Sequence, residues 1–343
     1  MARWFGAAAR ALPWRTWPRD PYRSLVSELM LQQTQVSRVL EKFDAFVARF
    51  PTVRELARAD ERDVLAAWSG LGYYRRARLL HAAARAIVET HGGHVPRELG
   101  ALMSLPGLGR YTAGAIASIV FGRPAPIVDG NVTRVLLRVS AKPLATDEAM
   151  GWAWKRSEGL ATLAHERGVV AAFNEGLMEL GATICTPGGP RCGSCPVAEL
   201  CAARARGEQG SIPKPKAKAK RKTLVCEVVV VGDGAGRLLV ERRGVGGMWG
   251  GLWQAPTHEH AGDSRARGLG RLLGLAGVRV GKATLEFVHI TTHRRVLFRV
   301  RRVVVGGASG LLVAGRERRW ATREEVAELA LSNPQRRILL GED

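Results

Sequence analysis

Four cysteines crowd one short stretch of this chain: Cys185, Cys192, Cys195 and Cys201, spaced C-x6-C-x2-C-x5-C in the run "CTPGGPRCGSCPVAELC". Thiolates packed this densely can wrap one metal centre, and four-cysteine ligation is the usual way to hold a [4Fe–4S] cluster. Two disulfides would need an oxidising compartment, and nothing in the sequence suggests export. The one other cysteine, Cys226, stands apart. Zinc is the rival, since four-cysteine sites hold it too. Zinc ribbons and knuckles usually show two C-x2-C pairs, and this run has one. The spacing favours iron–sulfur over zinc and leaves both open.

Upstream lie two carboxylates in unusual settings. Glu28, in "LVSELMLQQTQV", has apolar neighbours Leu25, Leu29 and Met30, and the next turn carries Gln32, Gln33, Thr34 and Gln35. An exposed helix glutamate is the commonest fate of this residue type. A glutamate between an apolar and an amide-rich face would instead have a raised pKa and could act as a general acid near neutrality. Asp129, in "APIVDGNVTRV", precedes Gly130, where an aspartate usually serves as a turn or N-cap residue. Between the two, "LPGLGRYTAGAIASIVFG" (105–122) has the form of a helix–hairpin–helix. Pro106, Gly107 and Gly109 permit a tight turn, through which backbone can approach a phosphate without reading sequence. The alternative is an ordinary corner between helices.

These groups need elements to position them. Residues 20–180 read as helices: Leu25, Leu29, Val36, Val39, Leu40, Phe43 and Phe46 lie close to one stripe. Short turns at "FPT", "SGLG", "THGGHVP" and "LPGLG" divide the helices. The cysteine loop closes this all-α domain, expected to span 1–205. The segment 206–222 is expected to be a linker; its last ten residues carry six basic side chains and no acid, which suits an extended chain. Beyond it the period changes. "LVCEVVVVGDGAGRLLVERR" reads strand, Gly-rich turn, strand, "KATLEFVHITTHRRVLFRVRRVVVG" gives further strands, and "REEVAELAL" (323–331) a terminal helix. Residues 223–343 are thus expected to form an α+β domain. The formal charge of +21 and pI near 10.9 favour a polyanionic partner, most simply nucleic acid, although an Ala/Arg/Gly-rich composition contributes to it. No stretch approaches the about 18 apolar residues of a membrane span, and the N-terminal apolar run is too short for a secretory core. The protein is expected to be cytoplasmic and monomeric, with no membrane partner.

Taken together, "SELMLQQTQV", "GLGYYRRAR", "LPGLGRYTAG", "VDGNVTRV", "FNEGLMELGA" and the cysteine loop resemble the MutY-type adenine DNA glycosylases of the helix–hairpin–helix superfamily, which remove adenine mispaired with 8-oxoguanine. The resemblance is close over about residues 10–205 and architectural beyond. It implies a multidomain protein: a helix–hairpin–helix glycosylase domain with a [4Fe–4S] loop, then a Nudix-like domain that recognises 8-oxoguanine. The expected partner is double-stranded DNA with A:8-oxoguanine or A:G mispairs. Glu28 then looks like the acid that protonates adenine and later activates water. Asp129 looks like the carboxylate facing the sugar cation, where fixed negative charge lowers the barrier. Tyr111 and Asn131 would orient that chemistry. Gln33 and Tyr73 resemble residues inserted into the duplex, with Leu31 and Thr34 beside Gln33 as further DNA contacts. Glu175 resembles a residue bonded to the adenine edge, and Trp14 and Arg15 lie near that pocket in relatives. Tyr111 occupies the position where endonuclease III-type enzymes carry a Schiff-base lysine, which argues against efficient strand cleavage.

In the C-terminal half, "GVGGMWGGLWQAP" (244–256) fits a Nudix Gly/Trp loop. No R-E-x-x-E-E run follows it, so nucleotide hydrolysis is not expected there. The family's Phe-Ser-His loop aligns with Thr291, Thr292 and His293: a hydroxyl and an imidazole remain, and the aromatic is gone. Two other readings compete: a bifunctional lyase for oxidised pyrimidines, and a non-enzymatic zinc-bound DNA-binding module.

Overall fold

The computed structural model describes residues 1–214, 221–244, 246–261, 268–275, 277–306 and 317–342. The chain divides into two compact units, Met1–Ala59 with Arg75–Lys218 and Asp60–Tyr74 with Ala219–Asp343.

The first unit is helical. Asp20 starts the helix Pro21–Leu31 by accepting from Arg23 N, with Pro21 at the first position, where its missing N–H costs nothing. The helix stops at Gln32, and a second runs Val36–Arg49. The expected apolar stripe is therefore cut by the turn 32–35. Leu25, Leu29, Val39, Phe43 and Phe46 are buried, whereas Leu40 is exposed. Leu40 lies about 100° round the helix from Val39 and misses the face that Val39, Phe43 and Phe46 share. The hairpin is formed by the helices Leu99–Ser104 and Arg110–Ala115, the latter running into a π-helical turn at Ile116–Val120. Gly107 holds φ +80°, and a Cβ there would lie 2.7 Å from that of Leu79, so both backbone freedom and space demand glycine. Helices Gly130–Val139 and Val170–Thr183 pack together behind it around Val132, Val135, Leu136, Leu177 and Leu180.

The linker expected at 206–222 starts differently. Ile212 is buried in a core with Leu137 and Ala203, and its carbonyl accepts from Arg138 Nε at 2.8 Å. The start of this segment is thus part of the first unit's packing, its end is the first residue of a strand, and 215–220 lie outside the described residues.

Among its described residues the second unit holds a mixed sheet of seven strands: β1 (Lys222–Asp233), β2 (Leu238–Arg242), β3 (Trp253–Gln254), β4 (Thr257–Ala261), β5 (Leu285–Ile290), β6 (Arg294–Val305) and β7 (Arg318–Ala321). The path runs β3-β2-β1-β6-β5, with β4 also on β1 and β7 on β2. β1 and β6 pair in parallel, Cys226 opposite Phe298, and the other strand pairs are antiparallel. Buried on both faces, β1 reads as a near-continuous apolar run. Cys226, Val228 and Val230 face one core with Phe298 and Ile338, and Val229 and Val231 face another with Leu269 and Leu273. The expected helix 323–331 is shorter, Arg323–Ala327, closed at its start by a Thr322/Glu325 capping box. It is not the last: Asn333–Leu340 follows, with Pro334 in its first turn. Residues 328–332 between the two are not helical, and Leu331 there forms a bridge with Trp253.

Residues 60–74 join this unit although they sit early in the chain. Tyr74 Oη donates to Leu331 O, Ser69 Oγ donates to the same carbonyl at 3.4 Å, and Arg336 Nη1 donates to Ser69 Oγ at 3.1 Å. A division at residue 205 does not coincide with this grouping.

Candidate active site

A cleft of about 220 Å³ opens in the helical unit, lined among others by Trp14, Arg15, Glu28, Leu31, Thr34, Tyr111, Asp129, Asn131 and Glu175. Nine of the residues expected to do chemistry or hold substrate therefore meet around one space, although they come from five separate stretches of chain. The volume is somewhat below the roughly 300–1,000 Å³ of small-molecule sites, as suits a single base.

Glu28 reaches the cleft from the helix Pro21–Leu31 and is partly buried. Burial, followed by the charges of Asp129 and Glu175, pushes its carboxyl up to about 8, against a lowering influence from Arg15. Asp129 caps the helix Gly130–Val139: its Oδ1 accepts from Val132 N at 2.7 Å. Its Oδ2 accepts from Asn131 Nδ2 at 3.0 Å. Asp129 thus caps a helix and lines the cleft at once, and the cap fixes its carboxylate in place. Tyr111 donates to Met178 Sδ at 3.0 Å. Burial, then the nearby Glu28 and Asp129, drives its hydroxyl well above the ordinary tyrosine value, so it stays a neutral phenol. Trp14 is 8% exposed and packs edge-on against Phe43.

Glu179, Arg10 and Arg19 were not singled out in the sequence. Glu175 and Glu179 stand one turn apart on the helix Val170–Thr183, a spacing that puts both on one face. Three arginines interleave with them. Arg10 Nε lies 2.6 Å and Arg15 Nη2 2.9 Å from Glu179. Arg15 Nε lies 3.2 Å and Arg19 Nη2 2.7 Å from Glu175. The result is a ladder of alternating charge, Arg10–Glu179–Arg15–Glu175–Arg19. Burial alone would raise Glu179, but the hydrogen bonds from Arg10 and Arg15 outweigh it and hold the carboxyl below the usual range. The i,i+4 pair of glutamates was readable. Arg10 and Arg19 were two among 52 basic residues.

Arg134 is the second missed group. Its Nη2 donates to Asn131 Oδ1 at 2.8 Å and to Gly181 O at 2.8 Å, and its Nε donates to Cys185 O at 2.7 Å. A continuous hydrogen-bonded path thus runs from Asp129 through Asn131 and Arg134 to the first cysteine.

The four cysteines line one shared cavity with Arg138, Leu180 and Val197. Arg138 is almost fully buried and donates from Nη1 to Cys185 Sγ at 3.4 Å. Burial, then the neighbouring sulfurs of Cys185, Cys201 and Cys192, raises the Cys195 thiol against a lowering backbone hydrogen bond from Val197. Among the described residues no group of three or more His, Cys, Asp and Glu is drawn together as for a single metal ion. Four sulfurs around a common cavity, with a buried guanidinium to balance negative charge, are a donor set that fits a thiolate-bound metal centre.

The remaining expected residues lie outside the cleft lining. Gln33 (φ +56°) and Tyr73 (φ +47°) are two of the four non-glycine residues in the left-handed region among the described residues, conformations that concentrate at functional sites. Both are exposed, Tyr73 by 47%, so Tyr73 is no core aromatic. Gly107 and Gly109 form the hairpin turn. Thr292 and His293 occupy the exposed tip between β5 and β6, where Thr291 Oγ1 accepts from Arg294 N at 3.0 Å. In the same unit Tyr73 Oη and Thr292 Oγ1 share a hydrogen bond of 2.7 Å.

A carboxyl pair in a helical cleft beside a hairpin and a four-cysteine loop, joined to a mixed α/β unit, defines a class. Residues 26–151 match the HhH-GPD superfamily of base excision DNA repair proteins, and 227–341 match the NUDIX domain. The adenine DNA glycosylase of Homo sapiens is 33% identical over 98% of this chain and 72% of its own. That of Mycobacterium tuberculosis is 42% identical over 63% of this chain and 70% of its own. A thermostable thymine-DNA glycosylase superposes with TM-score 0.53 at 30% identity, covering 60% of this chain and 93% of that one. An endonuclease III–DNA complex shares the fold at TM-score 0.50 and 24% identity, over 60% of this chain and 92% of that one. The chain belongs to the adenine DNA glycosylase family. Among the described residues no helix is long and apolar enough to cross a membrane.

Proposed function

We propose that this protein hydrolyses the N-glycosidic bond of adenine in duplex DNA, with adenine opposite 8-oxoguanine or G as its target. The observation that carries the reading is Glu28: a carboxyl pushed up to about 8 in a cleft that Asp129 also lines. At neutral pH Glu28 carries a proton and donates it to the flipped base, which then leaves as a neutral purine. Asp129, anchored by Val132 N and Asn131, puts fixed negative charge beside the sugar carbon that becomes cationic. Glu28, now a carboxylate, takes a proton from water as its oxygen bonds to that carbon. The sugar gains a hydroxyl and the acid is restored. Glu175, held by Arg15 and Arg19, faces the same space and suits the amino edge of adenine. Tyr111 offers no amine, so no Schiff base forms and the strand stays intact.

Cys185, Cys192, Cys195 and Cys201 would hold a [4Fe–4S] cluster. Such a group supplies a structural cross-link and local charge. Gln33 and Tyr73 would enter the duplex, and Thr292 and His293 would meet the oxidised base. Their exposure, and the Tyr73–Thr292 hydrogen bond, support that reading.

The test is a cleavage assay on duplexes with A opposite 8-oxoguanine, G, T and C. Adenine release from the first two, with breaks only after alkali, is expected. Breaks without alkali on thymine-glycol DNA, trapped by borohydride, would favour the bifunctional lyase instead.

A further inference from the structure

The helix Pro21–Leu31, which carries Glu28, ends without a glycine cap and without a basic residue in its own last turn. Its final carbonyls need donors from elsewhere. Arg76, in the helix Arg75–His91, supplies them. Its side chain is 6% exposed. Nη1 donates to Leu29 O at 2.9 Å, to Met30 O at 2.7 Å and to Gln32 O, while Nη2 donates to Thr34 Oγ1 at 2.8 Å. One guanidinium thus grips the chain on both sides of Gln33. Between those grips Gln33 stands exposed at φ +56°, a conformation disfavoured for a residue with a Cβ. Thr34 N donating to Leu31 O at 3.2 Å and Gln32 Nε2 donating to Thr112 Oγ1 at 3.1 Å complete the turn.

We propose that Arg76 is the positioning residue that presents Gln33: its guanidinium locks the turn 32–34 so that Gln33 is held ready for the duplex before DNA arrives. It acts through the turn and touches no reacting atom. A planar fork is required, because a lysine ammonium is a single point that cannot span the helix end and the Thr34 hydroxyl together. Pre-ordering removes the cost of fixing the turn on binding. The proposal rests on the reading that Gln33 enters the duplex.

A double-mutant cycle on the full protein tests it, with binding to A:8-oxoguanine and matched duplexes as readout. Arg76→Lys is expected to lower discrimination between the two about tenfold at unchanged iron content, and Thr34→Val about threefold. In a Gln33→Ala background each should change it less than twofold, since neighbours acting through one group are not additive. Thr34→Val carries the test if Arg76→Lys does not fold. Additive effects, or wild-type discrimination in both variants, would overturn the proposal. If Gln33→Ala itself left discrimination intact, the insertion reading would fall. Positioning is then read in the free protein, where amide exchange at 32–35 should quicken at least tenfold in Arg76→Lys. Unchanged exchange there would overturn it independently.

Discussion

Glu28 concentrates the chemistry into one titration. As a general acid it must hold its proton, so kcat/KM is expected to fall about tenfold per pH unit above about 8. Arg15 stabilises the charged form, and it also neutralises Glu175 and Glu179. Replacing it with Gln removes a positive charge and exposes two negative ones. Both effects raise Glu28, so the alkaline limb should move to higher pH; a limb that stayed or moved down would contradict the assignment. Stability carries the opposite mark of the same shift. The folded protein keeps the Glu28 proton up to about 8, and the unfolded chain loses it near the ordinary glutamate value of about 4.3. Wild-type stability relative to Glu28→Gln is therefore full below that lower value and declines as pH rises through about 8. Glu28→Gln should lose adenine release yet gain on the order of 1–4 kcal/mol over that window, read by thermal melts at pH 5 and 8.5. Glu28, Asp129 and the cysteines were legible because each sits in a local pattern that chemistry explains. The charge ladder was not, since Arg10 and Glu179 are 169 positions apart and only folding pairs them.

At the scale of elements, the helix Gly130–Val139 starts on the residue that is expected to face the sugar. Asp129→Asn keeps a side-chain acceptor for Val132 N and removes the charge, so the melting temperature should stay near wild type while adenine release is abolished. Asp129→Ala should lose the cap as well, costing about 1 kcal/mol. Equal activity in the Asn variant would remove Asp129 from the mechanism. The neighbouring helix approaches this one closely at Gly181. A Cβ on Gly181 would lie 2.6 Å from Asn131 Cβ and 3.0 Å from Asn131 O. Gly181→Ala must therefore displace Asn131, the hydrogen-bond donor to Asp129, and a loss of at least tenfold in single-turnover rate is expected with the cleft residues all intact. Helix existence was readable from apolar spacing, but helix ends were less so. The stripe through Leu40 ignored the turn that Arg76 holds, and the helix Asn333–Leu340 was missed because Pro334 reads as a stop as readily as a start.

At the scale of the whole molecule, the order of residues along the chain and their grouping in space differ most at 60–74. Periodicity assigned that stretch to the helical part, which is reasonable for residues 61–67 as a helix. What the sequence cannot display is where the hydroxyls of Ser69 and Tyr74 find an acceptor. Both donate to Leu331 O, and Arg336 donates back to Ser69, more than 250 positions away. Trp68, completely buried, and the buried Tyr74 phenol, raised by desolvation, belong to the same packing. Truncation after Arg221 removes this acceptor and leaves two hydroxyls to find water, while the Trp68 indole keeps its donation to Gly72 O within the segment. Amide exchange across 60–74 is then expected to rise by orders of magnitude, and the Trp68 emission to shift to the red, while 130–139 and 170–183 keep their protection. Tyr73 stands at the end of that stretch, hydrogen-bonded to Thr292. The truncated protein should therefore lose preference for A:8-oxoguanine over A:G beyond what Thr292→Ala alone removes. Unchanged protection at 60–74 after truncation would show that the segment holds its shape without the C-terminal residues, and would detach Tyr73 from them.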